Sequence, residues 1–312
     1  MSAARRGATG LSGILLVDKP EGMTSHDVVA IVRRATGEGR VGHAGTLDPG
    51  ATGLLVILVG PATRLEPYLS SATKSYEATI VFGSATDTDD AEGATIATSR
   101  VPDEVGDPAY AEALLTRLLG ESQQMPPVYS AIKTDGKAAH RVARAGGEVA
   151  VRPRPIRVDE ARLLGVDPAT VSWSVAFTVS KGTYIRALAR DVGLAANTHA
   201  HLGGLVRTGS GALLLSDAHS IDDVTSHAES RTLDQLWADP IDALGLPVVE
   251  TTAEMVADGR PLRTESRPDL AEGELAAVVD VDSRALLAVY RHSSARLVPV
   301  VVIPGGVARG AR

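Results

Sequence analysis

One junction constrains this chain more than any other stretch. The residues Val41-Gly42-His43-Ala44-Gly45-Thr46-Leu47-Asp48-Pro49-Gly50-Ala51-Thr52-Gly53 run straight into the apolar residues Leu54-Leu55-Val56-Ile57-Leu58-Val59. Four glycines and one proline relax or fix the backbone of the first segment and make it a poor helix former. The second segment reads as a buried strand or a short buried helix. A loop anchored to the core in this way presents Asp48 at its edge, where loop carboxylates act. The same residues also suit a tight turn capped by Asp48.

A chain of 312 residues, 44% of them hydrophobic, is long enough for roughly two domains with real cores. It contains no cysteine, which excludes disulfide frameworks, thiolate nucleophiles, iron–sulfur clusters and cysteine zinc sites. Arg5 and Arg6 precede the apolar run Ile14-Leu15-Leu16-Val17, but Asp18 and Lys19 cut that run too short for a signal segment. Nothing approaches the ~20 apolar residues of a membrane span. The cytoplasm is the expected location.

The net charge of −7 argues against a nucleic-acid partner until its distribution is read. Residues 133–207 hold twelve Lys/Arg against six Asp/Glu, whereas residues 211–312 hold nine against sixteen. Lys133, Lys137, Arg141, Arg144, Arg152, Arg154 and Arg157 could contact a phosphate backbone, or could form an ordinary solvated basic face.

Strands and helices alternate along the chain. Ile14–Asp18 reads as a strand, and His26–Ala35 as a helix capped by Thr24 or Ser25 and closed near Gly37. Tyr76–Phe82 alternates as a half-buried strand, and Ser84–Gly93 reads as a polar, acidic loop. Pro108–Leu119 predicts a helix. Val151–Leu164 and Val171–Val179 predict strands around the turn Gly165–Thr170, followed by a helix at Ile185–Ala196. The pattern weakens at Pro240–Pro247, the best candidate linker. Leu275–Asp280, Ala285–Arg291 and Leu297–Ile303 then predict a small β-rich domain. The expectation is an α+β (mixed α/β) fold.

Familiar chemistries fail against the residues. The glycine-rich loop lacks the Gly-Lys-Ser/Thr ending of a phosphate-cradling loop, and no G-x-G-x-x-G follows a strand. His199 and His201 are the only close histidine pair, and their spacing does not converge on a helical face; no metal site is expected. Asp87–Gly93 fails as a calcium loop because Ala91 and Glu92 occupy a ligand and the turn-glycine position. Solvated turn chemistry accounts better for those acids. Aromatic residues are scarce, so Tyr76 and Tyr184, each beside basic residues, stand out as rings that could stack on a base, or as core and edge aromatics. A glycosidase would need a second acid about 5–10 Å from Asp48, with Asp87, Asp89 and Asp90 as the tempting partners, and only Trp173 and Trp237 could stack on a sugar.

Taken together, Gly13–Ser25, Gly42–Gly53, Lys74-Ser75-Tyr76, Gly83–Gly93 with Thr86-Asp87-Thr88-Asp89, Gln124–Lys133 and Ser180–Arg186 resemble the TruB family of tRNA pseudouridine synthases. Six ordered motifs across residues 13–207 carry the resemblance. It implies a catalytic domain over residues 1–245, with a mixed, largely antiparallel central sheet flanked by helices and an RNA-gripping insertion at about 124–152. Residues 246–312 look like a small β-rich, PUA-like domain, although their acidic balance departs from a typical RNA-binding surface.

The resemblance further implies an isomerase that converts uridine 55 of the tRNA T-loop to pseudouridine by base flipping, with no cofactor and no metal. Its partner would be the T-arm of tRNA, with no guide RNA and no membrane, and the chain would be a monomer. Asp48 would be the essential carboxylate, with Tyr76 and Arg186 also catalytic; Arg186 as its partner would favour the ionised form. Attack on C1′ of the ribose, attack on C6 of the ring, and elimination of the base all remain open. His43 would fill the vacated stack, Tyr76 would lie against the uracil, and Tyr184 with the backbone of Leu205 would border its pocket. Lys19 and the Gln124–Arg152 region would grip phosphates. A tRNA-folding chaperone, in which modification is incidental and Asp48 dispensable, is the alternative from another class.

Overall fold

The computed structural model describes residues 9–127, 133–134, 137–138, 152–263 and 269–307. Contacts divide the chain into two compact units, Met1–Ala72 with Gly209–Arg312, and Thr73–Thr208.

The first unit opens with β1 (Gly13–Lys19), α1 (Ser25–Thr36), β2 (Val41–His43) and β3 (Thr52–Val59). β1 and β3 pair antiparallel from Gly13 opposite Val59 to Lys19 opposite Gly53. β2 pairs with β3 as well, with His43 opposite Ile57. Leu54 through Val59 are all fully buried, so both faces of β3 are covered and its apolar run is continuous rather than alternating. That resolves the strand-or-helix ambiguity. Gly53 and Gly60, both at positive φ, bound a run that spans about 20 Å as a strand and under two turns as a helix.

Thr24 caps α1 through a reciprocal box with Asp27, and Gly37 closes it in the left-handed conformation. Val28, Val29 and Val32 form its buried face, as the periodicity predicts. The other edge of β1 takes Trp237–Ala238, with Leu15 opposite Trp237. A Cβ at Gly13 would run into the Trp237 indole, so that close approach requires glycine.

The second unit contains β4 (Lys74–Phe82), α2 (Pro108–Thr116), β5 (Gly120–Gln124), β6 (Arg154–Asp167), β7 (Ser172–Val179) and α3 (Ile185–Ala195). The strands pair antiparallel in the order β4-β7-β6-β5. In β7, Trp173, Val175, Phe177 and Val179 point into one core, the period-two pattern of a half-buried strand. α3 contributes Ile185, Leu188, Ala189 and Val192 to that core. Trp173 is fully buried, donates to the Val105 carbonyl at 2.8 Å and packs edge-on against Phe82. The region read as the loop Ser84–Gly93 begins instead as a short strand, Ser84–Thr86, paired with Thr95–Thr98.

β8 (Ala200–Ser210) ends at the unit boundary, where Gly209 and Ser210 pair with Leu214 and Leu213. Further first-unit elements include α4 (Ile221–Glu229), α5 (Pro240–Leu244), β9 (Val248–Thr251), β10 (Leu275–Asp280), β11 (Leu286–Ser293) and β12 (Arg296–Val307). The Pro240–Pro247 stretch is therefore not an open linker. Asp239 caps a short helix there, and left-handed Gly245 ends it, too brief for periodicity to show.

β9 runs parallel to β10, while β10, β11 and β12 pair antiparallel, and Leu262–Arg263 joins β12. One set of alternate residues, Ala277, Val279 and Val289, shares a core with Ile14, Leu16, Leu54 and Val56. The other set, Ala276, Val278, Ala288 and Tyr290, forms a second cluster. That shared core groups the C-terminal sheet with residues 1–72, a different partition from a cut at 245/246. The fold is α+β, with mixed, largely antiparallel pairing and a small β-rich C-terminal module.

Candidate active site

Asp48 belongs to the first unit. It is exposed, while its neighbour Leu47 is 4% exposed and the Ala44 and Ala51 side chains are also buried. The apolar neighbours therefore act as anchors that leave the carboxylate facing outward. The Ser25 hydroxyl accepts the Leu47 N–H at 2.8 Å and donates to the Leu47 carbonyl at 3.0 Å, closing a pair of bonds on one residue. The Ala44 N–H donates to Val56 of β3, and the Ala51 N–H to Asp48. The Gly22 N–H donates to the Pro49 carbonyl.

Lys19 completes this scaffold. Expected to grip phosphates, it is instead fully buried at the end of β1. Its ammonium donates to the carbonyls of Pro20 at 2.9 Å, Met23 at 2.7 Å and Pro49 at 3.2 Å. An ammonium has three N–H bonds, so this cation ties the 20–23 turn to the residue after Asp48. His43 is half-buried on β2, its ring edge-on to that of His26 at 5.5 Å.

The second unit carries Tyr76, Tyr184, Arg186 and Leu205. Tyr76 stands on β4 opposite Phe177, and both Tyr76 and Leu205 are half-buried against the same core. Tyr184 is the residue before α3, and Arg186 lies in the first turn of that helix. Arg186 is 6% exposed, donates to the Thr88 carbonyl at 2.9 Å and lies 3.6 Å from the Asp90 carboxylate. One turn on, Arg190 binds Asp89 at 2.8 Å, Asp191 at 3.0 Å and the Met125 carbonyl at 2.8 Å.

Asp89 and Asp90 are therefore not solvated turn residues, whereas Asp87 and Glu92 of the same loop are exposed. Asp89 adopts the left-handed conformation, and Asp90 accepts from the Thr88 hydroxyl at 2.6 Å and the Glu92 N–H at 3.1 Å. The loop is sewn to β8 through Leu202, whose N–H and carbonyl bond Asp89 and Ala91. Burial pushes the Asp89 carboxyl up, against the pull of Arg190 and Arg186. Burial also raises Asp191, which Arg190 opposes. Lys74, at the start of β4, is pushed down to about 8 by burial and by the neighbouring Arg207 guanidinium.

Arg190 was not singled out from the sequence, Asp89 and Asp90 were weighed as glycosidase partners of Asp48, and Gln124 only as the start of an RNA-gripping region. Arg186 and Arg190, at i and i+4, share one helix face and so demand acids from elsewhere, which is the signal that could have found them. Trp173 and Trp237 are buried, which removes the sugar platforms a glycosidase would need. Among the described residues no three His, Asp or Glu side chains form a group able to hold a metal ion. No described helix is long and apolar enough to cross a membrane. Arg152, Arg154 and Arg157 lie on or beside β6, with Arg157 paired to Asp159 at 2.9 Å, whereas Arg141 and Arg144 lie outside the described residues.

The profile described as TruB family pseudouridylate synthase (N terminal domain) matches residues 33–185. A tRNA pseudouridine synthase B from Geobacillus thermodenitrificans is 40% identical over 294 residues, covering 92% of this chain and 96% of that protein. One from Mycobacterium leprae is 41% identical over 311 residues, covering 97% and 94%. Among solved structures, an H/ACA ribonucleoprotein bound to a substrate RNA containing 2′-deoxyuridine aligns with a TM-score of 0.71 at 22% identity, over 93% of this chain and 84% of that one. A Cbf5-Nop10-Gar1 complex aligns with a TM-score of 0.71 at 24% identity, over 93% and 83%. At such identities these two structures show the fold alone.

Proposed function

The chain belongs to the TruB family of pseudouridylate synthases, and from that premise we propose that it converts uridine 55 in the T-loop of tRNA to pseudouridine, with Asp48 as its essential carboxylate. It acts alone on the T-arm, as a cytoplasmic monomer, with neither guide RNA nor cofactor. The observation that carries this reading is the setting of Asp48, an exposed carboxylate on a loop whose backbone is held by Ser25 and Lys19.

The isomerisation breaks the bond from C1′ to N1, turns the uracil and joins C1′ to C5; the C5 proton is lost to solvent and N1 takes up a proton in its place. A rigidly held carboxylate can serve as the nucleophile or stabilise the developing charge at the sugar–base junction. Arg186 is its countercharge. The target base is hidden in the folded T-loop, so it is flipped out, and His43 fills the space it leaves. Tyr76 lies against the extruded uracil, and Tyr184 with the backbone of Leu205 borders the pocket. Lys19 serves by shaping the Asp48 loop. Within the 124–152 insertion, residues beyond the buried Gln124 grip the RNA backbone, and residues 246–312 are a PUA-like module.

The test follows tritium released from C5 of a labelled T-arm RNA by the purified chain and by Asp48→Ala and Asp48→Asn. Wild-type release with none from either variant is expected. Full turnover by both variants would remove Asp48 from the chemistry, and variants that bind and refold tRNA without turnover would show a folding role beside catalysis.

A further inference from the structure

The side-chain amide of Gln124 closes on the peptide groups flanking one pocket residue. Its Oε1 accepts the Tyr184 N–H at 2.9 Å, and its Nε2 donates to the Tyr184 carbonyl at 3.1 Å. Gln124 ends β5, opposite Arg154. The other four residues of that strand are exposed, yet Gln124 is 2% exposed. A polar edge strand thus turns one side chain inward, and that side chain holds the backbone of Tyr184 from both sides.

Tyr184 is where the chain passes from extended (φ −99°, ψ 113°) into α3, and it has no cap from its own side chain. Its carbonyl also accepts the Leu188 N–H at 3.1 Å, the first bond of the helix. Just upstream, Lys181 and Gly182 are exposed, and Gly182 is at φ 82°; the turn is fastened two residues further back, where Ser180 donates its N–H to the Arg157 carbonyl at 2.8 Å and accepts the Arg157 N–H on its hydroxyl at 2.8 Å. A single hydrogen bond leaves the backbone of a residue free to swing about it, whereas bonds to its N–H and to its C=O hold both flanking peptide planes and so fix its direction as well as its position. The next residue repeats the fastening, since the Met125 carbonyl accepts from Arg190 of α3.

We propose that Gln124 is a positioning residue of the reaction, acting through Tyr184: its amide sets the direction in which the Tyr184 ring enters the uracil pocket. The inference rests on the assignment of Tyr184 to that pocket. Gln124 itself touches no reacting atom.

The test is a double-mutant cycle on the full chain, read as saturating single-turnover rate and as Kd for a C5-tritiated T-arm RNA. Gln124→Met keeps the volume and removes both bonds, so it should lower the saturating rate about 10- to 100-fold and change Kd less than about 3-fold. In a Tyr184→Ala background the same substitution should change the rate less than about 3-fold, because the group it acts through is gone. A wild-type saturating rate in Gln124→Met, or an undiminished loss in the Tyr184→Ala background, would overturn the inference while the function stands. Should Gln124→Met unfold, Gln124→Glu, which retains the acceptor for the Tyr184 N–H but cannot donate when ionised, carries the same cycle with the same criteria. A wild-type chain that releases no tritium would overturn the functional reading, and this inference with it.

Discussion

Replacing Ser25 by alanine isolates the support beneath Asp48. The Ser25 hydroxyl is 1% exposed and serves two groups of Leu47, accepting from its N–H at 2.8 Å and donating to its carbonyl at 3.0 Å. Alanine deletes one oxygen and leaves a buried donor and a buried acceptor without that partner. Each such group costs about 1–3 kcal/mol, so the native state should lose about 2–6 kcal/mol in all if no water enters. For a chain of this size, at about 2.1 cal/mol/K of unfolding entropy per residue, that corresponds to a fall of roughly 3–9 °C in thermal midpoint. Leu47 precedes Asp48, so the saturating tritium-release rate should fall as well, by at least about tenfold. Thr24→Ala is the control, because it removes the cap of the same helix at about 1 kcal/mol and leaves Leu47 held. A Ser25→Ala chain with an unshifted midpoint and wild-type turnover would refute the reasoning. So would a Thr24→Ala chain that loses as much rate.

Asp90→Asn keeps the acceptor for Thr88 and Glu92 but removes the charge 3.6 Å from Arg186; single-turnover rates should drop about 10- to 100-fold with RNA affinity little changed, and an unchanged rate would detach that pair from catalysis. Lys74 is held at about 8, below its ordinary 10.5. The native state therefore gives up that proton before the unfolded chain does, and stability should rise with pH between about 8 and 10.5. Urea melts of wild type and Lys74→Met across that window should show wild type gaining about 3 kcal/mol on the variant; parallel profiles would contradict the burial argument. Gly13→Ala drives a methyl group into the Trp237 indole and should cost at least about 1–3 kcal/mol in the same melts, and a neutral result would disprove that packing.

The parts of the fold legible in the sequence are those whose signals are local. α1 announces itself through Thr24, the valines and Gly37, and the β6–β7 hairpin through alternation about a polar turn. β5 was not legible, because Gly-Glu-Ser-Gln-Gln has no apolar face, and Gly203-Gly204 interrupts the pattern of β8. α4 carries a readable capping box at Ser220 and Asp223, but its nine residues bury little beyond Val224. The site divides in the same way. Asp48 stands out through its glycine-rich surroundings and Tyr184 through its motif, whereas the duties of Lys19, Asp90 and Gln124 depend on partners 30, 96 and 60 residues away. Burial decided Lys19: a cation beside a loop reads from sequence as a phosphate grip, and only the three carbonyls around it reveal a brace.

The unit that holds Asp48 is discontinuous, with residues 73–208 inserted between its two parts. β1 is closed on one edge by Trp237–Ala238, and the core beneath Ile14 and Leu54 is shared with strands that extend to Val307. During synthesis the inserted unit has all its residues available first, while β1 and β3 wait, with an apolar surface uncovered, for more than half the chain to emerge. Strands that leave the ribosome before the inserted unit are thus among the last to find their partners. A chain truncated within the C-terminal sheet should lose the foundation of a carboxylate some two hundred residues upstream, and chaperone dependence during synthesis should concentrate on the N-terminal strands.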